Sequence, residues 1–245
     1  MKPGTFIAIG GCHVGGYGVG EQNSFINYFS KDSKSECLNI FSNFQIKNIH
    51  SIDKIIKQHD PEVVLLQLGN YEFHASFKKL FLNKMSKKSS QSSSGSLKNK
   101  NFSTSLANKI NMPLPDKEQK SNNILSDCFT FLIWRIIKKR NSVYLAQLKN
   151  IIASHPDRKF IFLSPLPCIK KNDRIIRSKG GKLFKMMFAS FENITYVDLF
   201  SHLPPIKKYF KDSAHLNRSG HFLVARAISK ELGIIHNNEI NSIAV

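Results

Sequence analysis

Apolar positions along the chain alternate between two periods. Thr5–Ile9 is a short β-prone run closed by Gly10 and Gly11, the pattern of a buried strand feeding a turn. Glu21–Phe29 carries Phe25, Ile26 and Phe29 at helical spacing, and Leu38–Ile49 alternates loosely as a second strand. Ser51 ahead of Ile52, Ile55 and Ile56 predicts an N-capped helix that ends at Pro61, and Val63–Leu68 is apolar enough for a central strand. Phe129, Ile133, Ile136 and Ile137, then Leu145, Leu148 and Ile152, recur on one helical face and predict a long helix from Ile124 to about Ser154. Lys159–Ser164 reads as a third central strand, Lys182–Phe191 as a helix, Ile194–Leu199 as a fourth core strand and Gly220–Leu232 as a C-terminal helix.

Strands that alternate with helices imply an α/β fold around a mostly parallel sheet. The 245 residues suffice for one such domain. From about 83 to 123 the composition shifts to Ser, Lys and Asn, including KKSSQSSSGSLKNK, and reads as a flexible insertion with little to bury. In an open parallel sheet, ligands bind beyond the carboxyl ends of the strands, so the segments that follow predicted strands are where chemistry is expected.

Charge changes the picture in one respect. With 36 Lys and Arg against 17 Asp and Glu, the chain carries a formal +19, which favours an anionic ligand; a base composition that inflates Lys and Asn would give the same excess. No zinc-finger spacing or RNP-like aromatic pattern accompanies it, so nucleic acid is an unfavoured partner. Cys12, Cys37, Cys128 and Cys168 have neither metal-ligand nor redox-motif spacing, and free thiols are expected. The start, MKPGTFIAIGG, has too short an apolar run for a signal peptide, and Ile124–Ile137 is broken by Asp127 and Arg135. The expectation is a cytoplasmic protein without a transmembrane segment.

Three post-strand segments carry candidate chemistry. Gly10-Gly11-Cys12-His13 places a thiol on a glycine-rich strand-to-helix turn, where a helix N-terminus would enrich the thiolate. A small buried cysteine beside a tight turn reads equally from these residues alone. Leu68-Gly69-Asn70 ends the central strand with a side-chain N–H donor suited to an oxyanion, or with an ordinary turn. Asp212-Ser213-Ala214-His215 spaces a carboxylate to meet one ring nitrogen and leave the other to take a proton, or is a helix cap beside a surface histidine. His13 offers a second imidazole beside the thiol, although adjacent side chains on an extended turn point apart. His50 and His74 are weaker candidates.

Taken together, these segments resemble the SGNH (GDSL-type) hydrolase family. Its first block is Gly-Asp-Ser-x-x-x-Gly-Tyr, its third Gly-x-Asn or a close variant, and its last Asp-x-x-His followed by an Asn and a Gly. The resemblance runs from Phe6 to about Leu232, and DSAHLNRSGH, preceded by ITYVDLF, is its most specific part. It implies a three-layer α/β/α, flavodoxin-like fold. Cys12 would be the nucleophile, His215 the base and Asp212 its orienter, with Asn70 and the Cys12 N–H lining the oxyanion hole. Gly11 stands where the family has Asp, and Cys12 where it has Ser, a version similar to SGNH-like polysaccharide acetyltransferases. The family's second block brings a Gly, yet Phe44–Ser51 contains none, so a backbone N–H from Cys12 or near Asn48 is expected to serve. Gly11, His13 and Asn48 are the expected substrate contacts. The implied activity is hydrolysis or transfer of O-acyl groups on small-molecule or glycan esters, with acetyl-carbohydrates favoured. No metal or cofactor is required, and acyl-CoA is an available donor. A binding module that keeps the fold without catalysis is the alternative.

Overall fold

A computed structural model of the chain describes residues 4–74 and 124–234. The segment read as an insertion, about 83–123, lies outside the described residues, as does the side chain of Cys128. Five strands, β1 Thr5–Gly10, β2 Glu36–Phe41, β3 Val63–Gln67, β4 Lys159–Leu163 and β5 Ile194–Val197, form one sheet in the order β2-β1-β3-β4-β5. Every pairing is parallel. The helices are α1 Phe25–Ser33, α2 Ser51–His59, α3 Ile124–Ala153, α4 Lys171–Phe188, the single turn α5 Leu199–His202, and α6 Arg218–Glu231.

Alternation along each strand sends successive side chains to opposite faces, and both faces are covered. On one, Phe6, Ala8, Val63, Leu65, Ile161 and Val197 pack against Phe25, Ile26 and Phe29 of α1 and Val224, Ala225 and Ile228 of α6. On the other, Phe162 meets Phe184 and Phe188 of α4, each with ring centroids 4.7 Å apart. Phe73 extends that layer, lying 5.5 Å from Phe184 and 5.7 Å from Trp134 of α3. At roughly 1.5–3 kcal/mol for each fully buried large apolar side chain, these two cores are the main drive for folding. The result is the three-layer α/β/α architecture expected from the resemblance. Among the described residues, no helix is long and apolar enough to cross a membrane.

Several boundaries differ from the pattern reading, each for a local reason. The expected helix from Glu21 divides into a 3₁₀ turn, Glu21–Asn23, and α1, because Ser24 accepts from the Asn27 N–H and caps α1. The second strand stops at Phe41, where Asn43 takes a positive φ of 60° and Ile46–Asn48 closes a 3₁₀ turn. Ser51 does not cap α2; its hydroxyl donates back to the Asn48 carbonyl, and α2 ends on Asp60 with φ 45° before Pro61. Helix α4 begins at Lys171 and not near Lys182, running through Gly180 and Gly181 where Phe73 lies against the helix. The fourth core strand ends at Val197 because the Asp198 carboxylate caps α5.

Candidate active site

The candidate residues gather at the carboxyl ends of β1 and β3 and on the loop before α6. Gly10 ends β1 so close to β3 that a Cβ there would lie 2.5 Å from the Gln67 carbonyl oxygen and from Val14 Cγ2. The chain then winds through successive turns, with the Tyr17 N–H donating to the Cys12 carbonyl at 3.1 Å and the Gly16 N–H to that of His13 at 3.0 Å. Glycines at 16, 18 and 20 all have positive φ, a conformation open to glycine at little cost. The expected strand-to-helix turn is therefore absent. No α-helix starts until Phe25, so the dipole of a following α-helix does not explain the state of the Cys12 thiol.

Hydrogen bonds explain it. Burial pushes the Cys12 thiol up, but hydrogen bonds to the His215 imidazole and the Tyr71 hydroxyl outweigh burial and hold it below the ordinary thiol range. Its hydrogen bond to Cys12, working against burial and joined by the one to Asp212, holds His215 above its ordinary range. The two shifts favour the thiolate–imidazolium form of the pair. By contrast, burial raises Cys37 to about 11 and also raises Cys168.

The His215 ring is held by its own loop. One Asp212 oxygen, Oδ1, accepts from the backbone N–H groups of Ala214 and His215, both at 2.8 Å, while Oδ2 lies 2.7 Å from His215 Nδ1. That leaves His215 Nε2 as the ring nitrogen for Cys12. Burial opposes ionisation of Asp212, and these donors overcome it to keep the carboxyl below its usual range. Just beyond, Asn217 caps α6 by accepting from the Gly220 N–H at 3.0 Å. Asp212 is thus the orienter of a histidine as well as a turn former, and the cap falls to Asn217.

Asn70 is 7% exposed; its Oδ1 accepts from the Leu166 N–H at 2.8 Å, and its Nδ2 has no partner in the protein. Glu72, two residues on, ties the loop down by accepting from the Ile46 N–H at 2.7 Å and the Gly69 N–H at 3.1 Å. In the second block, the N–H groups of Phe44, Ile46, Asn48 and Ile49 all donate within the protein, that of Asn48 to the Gln45 carbonyl at 2.9 Å. Asn48 is exposed, and its own N–H is not free to serve an oxyanion. The Cys12 N–H meets the Tyr71 hydroxyl instead.

His13 is buried beside the two later histidines. It is 2% exposed, its ring lies 5.4 Å from that of His215 and 6.0 Å from that of His221, and it bonds the Ala214 backbone. Burial, with the charges of His221, His215 and Arg177, drives its pKa well down and keeps the ring neutral. Gly11 lies beside the ring of Tyr71, and Tyr17 covers His215 at 4.5 Å between ring centroids. His50 is exposed at the start of α2, and His74 pairs with Asp173 at 3.3 Å; neither joins Cys12.

Four residues near this group had no signal that set them apart: Gln67, Tyr71, Glu72 and Arg177. Tyr71 and Glu72 adjoin Asn70 in sequence, so the third block was the place to look. Gln67 is a buried polar residue closing an apolar strand, and neither polar atom of its side chain has a partner in the protein. Arg177 lies a hundred residues away and only the fold brings it close. Among the described residues no group of His, Cys, Asp or Glu is arranged to hold a metal ion. A surface cleft at the other end of the sheet, lined by Arg158, Phe160, Asn193 and Leu232, contains none of the candidate residues.

No protein-family model matches the chain, and neither does any curated protein. Solved structures do. The chain is similar to an acetylxylan esterase from Geobacillus stearothermophilus, with 14% identity, a TM-score of 0.56, and 97% of this chain and 100% of that one covered. It is similar to a structure assigned to a lipolytic protein of the G-D-S-L family from Desulfitobacterium hafniense DCB-2, with 13% identity, a TM-score of 0.56, and 93% and 98% covered. An α/β hydrolase from the metagenome of Lake Arreo, Spain, gives 11% identity, a TM-score of 0.57, and 97% and 99% covered. At these identities the likeness is one of fold.

Proposed function

We propose that this chain, which has the fold of those hydrolases, cleaves O-acyl esters through a Cys12–His215–Asp212 triad. The observation that carries the reading is the His215 ring held at 2.7 Å by Asp212 on one nitrogen while it lowers the pKa of the Cys12 thiol from its other side, in a loop cluster where Asn70 Nδ2 has no partner in the protein. The Cys12 thiolate attacks the ester carbonyl carbon, forming a C–S bond. The oxyanion takes hydrogen bonds from Asn70 Nδ2 and the Cys12 N–H, the latter released from Tyr71. As the tetrahedral species collapses, the C–O bond to the alcohol breaks and the His215 imidazolium gives that oxygen its proton. His215 then takes a proton from water, which attacks the thioester, and the released acid leaves the thiolate–imidazolium pair restored. Asp212 keeps the ring in the tautomer that both steps need.

The acetylxylan esterase and the lipolytic protein share the fold, and this supports ester hydrolysis, with acetylated carbohydrate as the favoured substrate class. Transfer would put a sugar hydroxyl in place of water in the last step; with acyl-CoA as donor the first step would break its thioester C–S bond in place of the ester C–O bond, and the CoA sulfur would leave with the His215 proton. A binding module without catalysis would have no need of a depressed thiol beside an oriented imidazole. The test is turnover of 4-nitrophenyl acetate together with intact-mass detection of an acetyl group on Cys12. Cys12→Ala is expected to abolish both. Undiminished turnover by that variant, or no turnover by the unaltered chain with aryl acetates or acetylated xylo-oligosaccharides, would overturn the reading.

A further inference from the structure

Arg177, in the second turn of α4, is 4% exposed. Its guanidinium does not reach for the solvent. Nη1 donates to the Leu166 carbonyl at 3.1 Å, and Nη2 donates to the Asn70 carbonyl at 3.2 Å. The Leu166 N–H in turn donates to Asn70 Oδ1 at 2.8 Å. These three bonds close a ring that runs from guanidinium to Asn70 main chain, through the Asn70 side chain to Leu166, and back to the guanidinium.

The ring decides which way the Asn70 amide faces. An N–H such as that of Leu166 can be met only by an acceptor, so it takes Oδ1 and leaves Nδ2 on the other side. The planar fork of Arg177 spans the two carbonyls and holds the Leu166 and Asn70 backbones at the separation this needs. A lysine ammonium is a single point at the end of a flexible stem and cannot reproduce the span. Burying a guanidinium is costly, and what this one secures is a pair of carbonyls on either side of the amide.

We propose that Arg177 is the positioning residue for the oxyanion donor: it fixes the loops of Asn70 and Leu166 so that Asn70 Nδ2 is presented in one orientation. This rests on the esterase reading. Arg177 makes no hydrogen bond to the thiol, and it acts on the oxyanion donor through Asn70.

The experiment compares the unaltered chain with Arg177→Lys, Arg177→Gln, Asn70→Ala and the double variant Asn70→Ala/Arg177→Lys. The readouts are kcat and KM for 4-nitrophenyl acetate and the rate of Cys12 alkylation by iodoacetamide. Losing an oxyanion donor costs about 10²–10³ in kcat, which is the expectation for Asn70→Ala; misaiming one by Arg177→Lys should cost about 10–10². KM should stay within about twofold and alkylation of Cys12 should be unchanged, since the thiol and its base are untouched. The double variant should be no slower than Asn70→Ala, because a residue that acts through Asn70 has nothing left to act on.

Multiplying losses in the double variant, slowed alkylation in Arg177→Lys, or full activity in both Arg177 variants would overturn the inference. So would failure of both to give a cooperative melt, which would make Arg177 a support of the fold and not of the amide. Loss of the esterase reading itself looks different: the unaltered chain would then fail to turn over, or Cys12→Ala would remain active.

Discussion

A side chain at Gly11 would meet Tyr71: a Cβ built there lies 3.3 Å from Tyr71 Cε2, with Gln67 Oε1 at 3.7 Å. Gly11, where the SGNH pattern has an aspartate, therefore leaves room for the Tyr71 phenol beside the Cys12 thiol. Putting an aspartate there is expected to harm the site. Gly11→Asp crowds the Tyr71 ring and sets a carboxylate beside a thiolate, which raises the thiol pKa. The pH at which Cys12 becomes reactive should move upward, and iodoacetamide kinetics against pH followed by peptide mass mapping would show it.

The same thiol should stay reactive where ordinary cysteines fall silent. Its pKa is lowered by His215 and Tyr71, so the thiolate persists below the usual cysteine range and is lost only when acid protonates it. The alkylation rate of Cys12 against pH should therefore rise at lower pH than those of Cys37 and Cys168, whose pKa values burial raises. His215→Ala should move the Cys12 profile upward, and a profile that ignores that substitution would contradict the pairing.

His221 gives the fold an acid limit. Burial lowers its pKa from 6.5 to about 4, so the folded state resists a proton that the unfolded chain accepts. Its contribution is complete above pH 6.5 and is lost as the pH falls towards 4, a change of about 3 kcal/mol. His13, driven down by burial as well, adds in the same direction. The Nδ1 of His221 accepts the Phe25 N–H at 3.2 Å, and His221→Asn keeps an acceptor there without a titrating ring. Chemical denaturation between pH 7 and 4 should show a flatter loss of stability in that variant.

Gly180 is held by packing and not by backbone strain. A Cβ there would come within 2.2 Å of Phe73 Cδ2, and Phe73 is fully enclosed by Trp134 and Phe184 on its other sides. Alanine improves helix propensity by up to about 1 kcal/mol, but overpacking costs about 1–3 kcal/mol. Gly180→Ala should therefore lower the melting temperature, whereas the same exchange at Gly181, where the nearest atom would be 3.3 Å away, should be far milder.

The alternation of strands and helices was legible in the sequence because a buried parallel strand writes itself as a continuous apolar run, as in Val63–Gln67 and Lys159–Leu163. Element ends were less so. Gly180-Gly181 reads as a break, yet α4 passes through it, since the reason for Gly180 is Phe73, more than a hundred residues away. The candidate triad was named from short blocks whose geometry is set locally: Asp212 and His215 share one turn. What local pattern could not supply was the surroundings. Tyr71 looks like any half-exposed aromatic, and Arg177 like one more base in a lysine-rich helix. The helix expected after Cys12 came from the ordinary form of that turn, and the glycines at 16, 18 and 20 coil the backbone otherwise.

Cys12 follows β1 and its imidazole partner precedes α6, and what separates them in sequence is most of the sheet. During synthesis the sulfur is made first and meets the imidazole only when the loop before α6 and that helix dock on the sheet. A chain cut short before residue 212 keeps all five strands and Cys12 yet should lose the reactivity that the imidazole lends the sulfur, which makes this one thiol a report on whether the loop before α6 has docked.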